Sequence, residues 1–359
     1  MQQAMDFIVS RADLRQHKLV ERALPALGDG EVLLKVDKFA FTSNNVTYAA
    51  FGEAMHYWDF FPAPEGFGKV PVWGFADVVG SRHAQIAVGE RVFGYFPMAT
   101  HLVVQASQVK PGSFVDAAPH RAELALVYNQ YLRVAQDPAY VRAFEDQQAL
   151  LRPLFMTSFF IDDLLADNDF FGAKSVILSS ASSKTALGVA YLLSRNLEVD
   201  VVGLTSASNV GFVEGTGYYD RVVTYDGIGA LETGVPSLFV DMAGNAKVVG
   251  DVHRHFGDAL KHSCVVGGTH WEARGGRDGA LPGPKPQFFF APAQIAKRTK
   301  EWGPGGVETR FAEAWRGFLG SVPNWMRVVH GAGPKAVEAV YLAMVDGKVS
   351  PSEGHMLSL

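Results

Sequence analysis

The stretch Lys174-Ser-Val-Ile-Leu-Ser-Ser-Ala-Ser-Ser-Lys-Thr-Ala-Leu-Gly-Val-Ala-Tyr-Leu-Leu-Ser-Arg195 passes through three textures. Val176, Ile177 and Leu178 form a short continuous apolar run, the pattern of a strand covered on both faces. A run of small, mostly hydroxyl-bearing residues follows, from Ser179 to Thr185. Then Ala186, Val189, Ala190, Leu192 and Leu193 recur at helical spacing. A strand that turns sharply into a helix places the helix's first amides, and the positive end of its dipole, beside the strand's carboxyl end, where an anion is stabilised. Downstream the alternation continues. Strands are expected at Asp200–Thr205, Arg221–Tyr225, Ser237–Met242 and His262–Gly268, with helices at Asn209–Gly215 and Asn245–Phe256. Such a succession is the signature of a parallel, doubly wound nucleotide-binding sheet.

Upstream the texture is β-rich. Glu31–Phe41, Val70–Ser81, Gln85–Phe96 and Thr100–Ala106 read as strands with glycines at the turns, which suggests a small barrel. Between Ala117 and Leu151 glycines are few, and Leu124, Leu126, Val127, Tyr131 and Val134 recur at helical spacing. We expect helices there, divided at Pro138. The tail holds expected helices at Ala291–Arg298, Val307–Leu319 and Pro334–Val345, then a closing strand from Gly354.

Composition narrows the function classes. The 359 residues are 48% hydrophobic and 19% charged, which fits a large buried core and not a disordered chain. The net charge of −5 leaves no basic surface for a phosphate backbone, so no nucleic-acid partner is expected. The one cysteine, Cys264, excludes an internal disulfide and a cysteine-rich zinc site. With no apolar run long enough to span a bilayer and no signal-peptide pattern at the start, a cytoplasmic protein with no membrane partner is expected.

Several motifs stand in a telling order. Gly30-Glu-Val-Leu-Leu-Lys-Val opens the barrel, and Phe41-Thr-Ser-Asn-Asn-Val-Thr-Tyr48 follows. Next come Pro71-Val-Trp-Gly-Phe-Ala-Asp-Val-Val-Gly80 and Val88-Gly-Glu-Arg-Val-Phe-Gly94. Together they resemble the medium-chain dehydrogenase/reductase superfamily, on the side of its zinc-free quinone oxidoreductases and enoyl reductases, in an uncharacterised branch (a domain-of-unknown-function family). The resemblance implies an α/β protein with an N-terminal GroES-like β-barrel domain and a Rossmann-type doubly wound parallel sheet domain. The barrel domain is expected at 1–125, completed by 292–359, and the Rossmann domain with a leading helical segment at 126–291. Zinc-dependent relatives carry cysteine and histidine where this chain has Thr42 and Phe75, so no metal is expected. A homodimer is what the relatives suggest.

Site residues follow from both lines. The usual glycine-rich loop is replaced here by Ser180, Ser182, Ser183, Lys184 and Thr185. Small side chains still admit a pyrophosphate closely, hydroxyls can bond it, and Lys184 adds positive charge. A serine-rich cap that binds nothing is the alternative. Where a carboxylate would grip a ribose 2′-hydroxyl, the chain reads Gly203-Leu-Thr-Ser-Ala-Ser-Asn209. Nothing there repels a 2′-phosphate, and Thr205, Ser206, Ser208 and Asn209 can bond one, so NADPH is expected over NADH. An ordinary polar turn without nucleotide preference is the alternative. Gly244 and Gly268 permit close approach at two further strand ends, or are simple turn glycines. Thr157, in Phe155-Met-Thr-Ser-Phe159, resembles the family's helix beside the nicotinamide. Tyr48 matches the tyrosine of the quinone-reductase motif and is the expected proton donor, with Asn44 or Asn45 orienting substrate; a rim aromatic that only packs is the other reading. His56-Tyr-Trp-Asp-Phe-Phe-Pro62 is read as the wall or lid of an apolar substrate site, and His270 and Trp271 as possible lining. Two functions remain open: hydride transfer from NADPH to an activated C=C or C=O of an apolar substrate (an enone, quinone or acyl derivative), or nucleotide or ligand binding without catalysis.

Overall fold

The computed structural model describes residues 3–266 and 281–359. The chain divides into two compact units, Met1–Leu150 with Arg327–Leu359, and Leu151–Met326.

In the first unit, strand Glu31–Phe41 pairs antiparallel with Pro71–Ser81 on one side and with His101–Lys110 on the other. The remaining pairings run Pro71–Ser81 to Arg91–Pro97 to Gln130–Arg133 to Ser113–Asp116 to His101–Lys110, which closes the ring into a barrel. Phe39, Phe96, Phe114 and Tyr131 are among the side chains that fill it. Glu353–Ser358 pairs antiparallel with Glu31–Phe41 and parallel with Arg327–Ala332, so the chain's end extends the sheet its beginning started. Gln3–Ser10 and His17–Ala23 form a separate hairpin.

Three expectations are corrected here. Between Ala117 and Pro138 the helical spacing yields, besides the 3-10 turns Pro119–Arg121 and Val134–Gln136, only the short helix Leu126–Asn129; Gln130–Arg133 is a strand, and the long helix Glu145–Asp167 begins beyond Pro138. The reason is long-range: Tyr131 is needed inside the barrel, where its ring lies over Gly94, at which a Cβ would come within 2.4 Å of it. The strand expected over Gln85–Phe96 runs only over Arg91–Pro97, because Gly89 at φ 93° makes the preceding residues a turn. The hairpin at the start and the strand Arg327–Ala332 were not foreseen: His17–Ala23 and Arg327–Ala332 have almost no fully buried residues, so neither shows a clean hydrophobic period.

In the second unit, the described residues form a six-stranded parallel sheet. Its order is Arg221–Thr224, Asp200–Thr205, Ser175–Leu178, Ser237–Asp241, Leu260–Val265, Gln287–Phe288. Counted along the chain this is 3-2-1-4-5-6, the dinucleotide-binding order, with the direction of winding reversing between Ser175–Leu178 and Ser237–Asp241. Ser175–Leu178 and Ser237–Asp241 are buried throughout, as a sheet covered on both faces requires. Residues 126–150, expected with this sheet, lie in the barrel unit. The helices Ala291–Trp302 and Gly306–Ser321, expected with the barrel, lie in the sheet unit, where Phe311, Trp315 and Phe318 pack on Phe155.

Candidate functional site

At the reversal point, strand Ser175–Leu178 opens into Ser179–Ser183 and then helix Lys184–Leu193. Ser183 caps the helix, its Oγ accepting from the Ala186 N–H at 3.3 Å. Ser180 occupies the left-handed region at φ 51°, where glycine is the usual residue. Its N–H donates to the Tyr225 hydroxyl at 3.2 Å, and Ala181 N–H donates to Leu204 O at 3.0 Å. Ser179 Oγ donates to the buried Asp241 at 2.6 Å, tying the loop to the neighbouring strand end. Asp241 also accepts from the N–H groups of Ala243 and Gly244, yet desolvation outweighs these bonds and raises its pKa.

The left-handed serine gives a testable local prediction. An L-residue there costs roughly 1–2 kcal/mol, while glycine adds about 0.4–1 kcal/mol of unfolded-chain entropy. Ser180→Gly should therefore stabilise the protein by about 0.5 kcal/mol, seen as a small rise in urea midpoint. A fall would mean that the Ser180 side chain itself holds the loop.

The next strand end lies alongside. Thr205 is buried as the last residue of its strand. Ser206 and Ser208 place their hydroxyls 3.1 Å apart, and Asn209 Nδ2 donates to Ser182 Oγ at 3.1 Å, so the two hydroxyl-rich segments touch. Ser158, the residue after Thr157, donates to the carbonyl of Thr185 in the first turn of the loop's helix at 2.8 Å. Gly188 allows that approach, since a Cβ there would come within 2.5 Å of Ser158 Oγ. Lys184 keeps some exposed surface as a residue, but desolvation of its ammonium lowers its pKa to about 8. Gly244, at φ 65°, completes the third strand end. Gly268, His270 and Trp271 lie outside the described residues. Tyr225, whose hydroxyl meets the loop, is not singled out by the sequence; its place as the last residue of a predicted strand is the available signal.

The barrel unit carries a second cluster. Tyr48, on helix Ser43–Ala50, packs with Phe60, Phe61 and Tyr95, and against these lie Tyr57, Trp73, Leu102, Leu124 and Tyr128. Ring centroids stand 4.6 Å apart for Tyr48 and Tyr57, and 5.6 Å for Tyr48 and Tyr95. Burial raises the Tyr48 pKa, and Trp73, Asn44 and Tyr128, which face its hydroxyl, offset part of that. Its phenol is thus a neutral donor at every ordinary pH. Asn45 is not brought to this cluster. Its Oδ1 accepts from Thr42 N–H at 2.7 Å and its Nδ2 donates to Pro71 O at 2.8 Å, so its amide is spent on the helix start. The aromatic loop splits in two: Trp58 joins the barrel core, while Tyr57, Phe60 and Phe61 wall the tyrosines. His56 is exposed and pairs with Asp59. Thr42 Oγ1 donates to Asn45 Oδ1 at 3.1 Å, and Phe75 is fully buried.

A closed antiparallel barrel joined to a sheet of 3-2-1-4-5-6 order defines the medium-chain dehydrogenase/reductase fold. Solved structures agree. CurA from Vibrio vulnificus, crystallised with NADPH, is similar at a TM-score of 0.61 and 14% identity, over 99% of this chain and 98% of that one. The quinone oxidoreductase from Coxiella burnetii gives 0.58 and 12%, over 100% of each chain. A mutant form of the enoyl thioester reductase from Candida tropicalis gives 0.55 and 12%, over 100% of each chain. No curated protein sequence matches. Residues 39–350 match the family described as "Protein of unknown function (DUF2855)", and the chain belongs to that family.

Proposed function

We propose that this protein is a zinc-independent oxidoreductase that uses NADPH to reduce an activated C=C or C=O of an apolar substrate. The observation that carries the reading is the switch point of the sheet, where hydroxyl-bearing segments 179–185 and 205–209, neither of which contains a carboxylate, adjoin at two neighbouring strand ends. The residues fit the cofactor: Ser182, Ser183 and Thr185 offer hydroxyls at a helix start, Lys184 offers a cation, and Ser206, Ser208 and Asn209 offer bonds to a 2′-phosphate. The structures of CurA with NADPH and of the quinone and enoyl thioester reductases support the same reading. When bound, NADPH supplies the hydride. In the barrel unit, Tyr48 holds a proton for the oxygen on which negative charge develops, Asn44 orients substrate, and the surrounding rings keep water away.

Fluorescence titration with NADPH and NADH tests this. NADPH should bind more tightly. Equal or tighter binding of NADH refutes the preference, and no binding of either refutes the enzyme. Lys184 adds a pH signature. A phosphate favours its ammonium form, and in the free protein that form is lost as pH rises past about 8. The Kd for NADPH should be flat below that pH and weaken by up to about tenfold per pH unit above it. Lys184→Gln should bind more weakly and remove the break. A break that persists in the variant assigns the titration to another group.

One observation favours a second reading, a ligand-binding relative that does not turn over. The N–H groups of Ser180, Ala181 and Ser183 already have acceptors within the chain. NADPH binding with no oxidation across a panel of enones and quinones would select it.

A further inference from the structure

The loop Ser179–Ser183 holds a serine where its backbone suits glycine. Ser180 stands at φ 51°, a conformation that an L-residue resists by about 5- to 30-fold and that glycine adopts freely. Two contacts hold it there. On one side, Ser180 N–H donates to the Tyr225 hydroxyl. On the other, Ser179 is fully buried and tied to the neighbouring strand, its N–H donating to Val240 O at 3.1 Å and its Oγ to Asp241 Oδ1 at 2.6 Å. The same Oγ accepts from Met242 N–H at 2.8 Å, and Asp241 Oδ2 accepts from Gly244 N–H at 3.0 Å. One carboxylate therefore joins the loops that leave two paired strands. Asp241 is 1% exposed, no cation pairs with it among the described residues, and its desolvation outweighs the bonds it accepts. Its charge thus works against the fold, beside a candidate site.

We propose that Asp241 is a positioning residue for the coenzyme: acting through Ser179, its carboxylate holds Ser180 in the left-handed conformation and so presets the loop that carries Ser182 and Ser183. The carboxylate does what glycine's freedom does in a glycine-rich loop. Only an ionised acid accepts at both oxygens. Asparagine would turn an N–H donor toward either the Ser179 hydroxyl or the Gly244 N–H, and one link would be lost. Ser180 would then be held from the Tyr225 side alone and would relax toward right-handed or extended backbone, drawing the next residues out of place. Ser182 Oγ, which accepts from Asn209 Nδ2, would move with them and part the two hydroxyl-bearing segments. The inference rests on the reading of this loop as the NADPH seat, but the lock itself belongs to the free protein.

Fluorescence titration of the whole protein with NADPH, well below its unfolding temperature, provides the test. Asp241→Asn should weaken binding about tenfold. Ser179→Ala should do the same, and the double variant should bind no worse than the weaker single one, because both cut one link. Ser180→Gly should bring Asp241→Asn back to within about threefold of the wild type, since glycine holds the turn without help. A carboxylate that only stabilised the fold would not be rescued by that glycine. Wild-type affinity in Asp241→Asn, losses that add in the double variant, or a loss that Ser180→Gly leaves in place overturns the proposal. Should Asp241→Asn not fold, Ser179→Ala with and without Ser180→Gly decides in the same way. If the wild type binds no NADPH, the reductase reading falls and amide hydrogen exchange of the free protein decides this one. The Ser180 and Ala181 amides should then exchange about tenfold faster in Asp241→Asn, and unchanged exchange overturns the lock.

Discussion

Tyr48→Phe should lower kcat about 100-fold and leave the Kd for NADPH unchanged, because general-acid groups contribute about 10²–10⁴ to rate. The ring is 6% exposed, and phenylalanine keeps its packing against Tyr57 and Tyr95. What disappears is one proton donor. Its pKa is raised above the ordinary value of 10 by burial, so the wild-type rate should show no alkaline fall from Tyr48 below that pH. NADPH affinity should not change, since the hydroxyl-rich loops that would bind it belong to the parallel sheet and Tyr48 to the barrel unit. Measurement needs stopped-flow NADPH oxidation with any enone or quinone that is turned over. An unchanged kcat would give the proton to solvent and leave Tyr48 as a wall.

Arg121→Met should cost about 3–5 kcal/mol of stability, the usual result of stranding one member of a buried ion pair. Arg121 is 1% exposed and Asp116 2%, with Arg121 Nε 3.2 Å from Asp116 Oδ2. Arg121 also donates to Asn129 Oδ1 at 3.2 Å. Methionine fills the volume but leaves the Asp116 carboxylate buried without its counter-charge. Adding Asp116→Asn should restore part of the loss. Asparagine is neutral yet keeps an oxygen for the Gln105 and Ala118 N–H groups, which Asp116 Oδ1 accepts at 3.0 Å each. Urea unfolding of the single and double variants measures both effects. A single-variant loss below about 1 kcal/mol would mean that water reaches the pair and that it behaves like a surface bridge.

Much of the sheet was readable residue by residue. Val176-Ile-Leu178 and Ser237–Asp241 are short apolar runs because both faces of their sheet are covered, and that texture is local. The loop was readable for the same reason, since its small residues, its lysine and the absence of an acid after Thr205 lie within the strand–turn–helix units that carry them.

The tyrosine cluster was readable at Tyr48, at Asn44 and in the aromatic loop, and not at its other members. Trp73, Tyr95 and Tyr128 come to it from three distant strand or helix segments, and nothing in their own neighbourhoods marks them as more than core aromatics. Their meeting depends on barrel register, which places Trp73 opposite Tyr95. The same holds for Gln130–Arg133. Its helical spacing was real, but pairing with Arg91–Pro97 and Ser113–Asp116 overrode it, because ladder bonds and the burial of Tyr131 outweigh a weak local propensity. Asn44 and Asn45 make the contrast plain. The two are adjacent and alike in sequence, yet the turn of one helix sends Asn45 to cap its own start and Asn44 to face the phenol. Short-range patterns thus settle most of the elements that form and what chemistry they can carry, whereas long-range pairing overrides a weak local pattern, as at Gln130–Arg133, and alone selects which side chains share a site, since a contact between distant residues leaves no mark on the sequence around either.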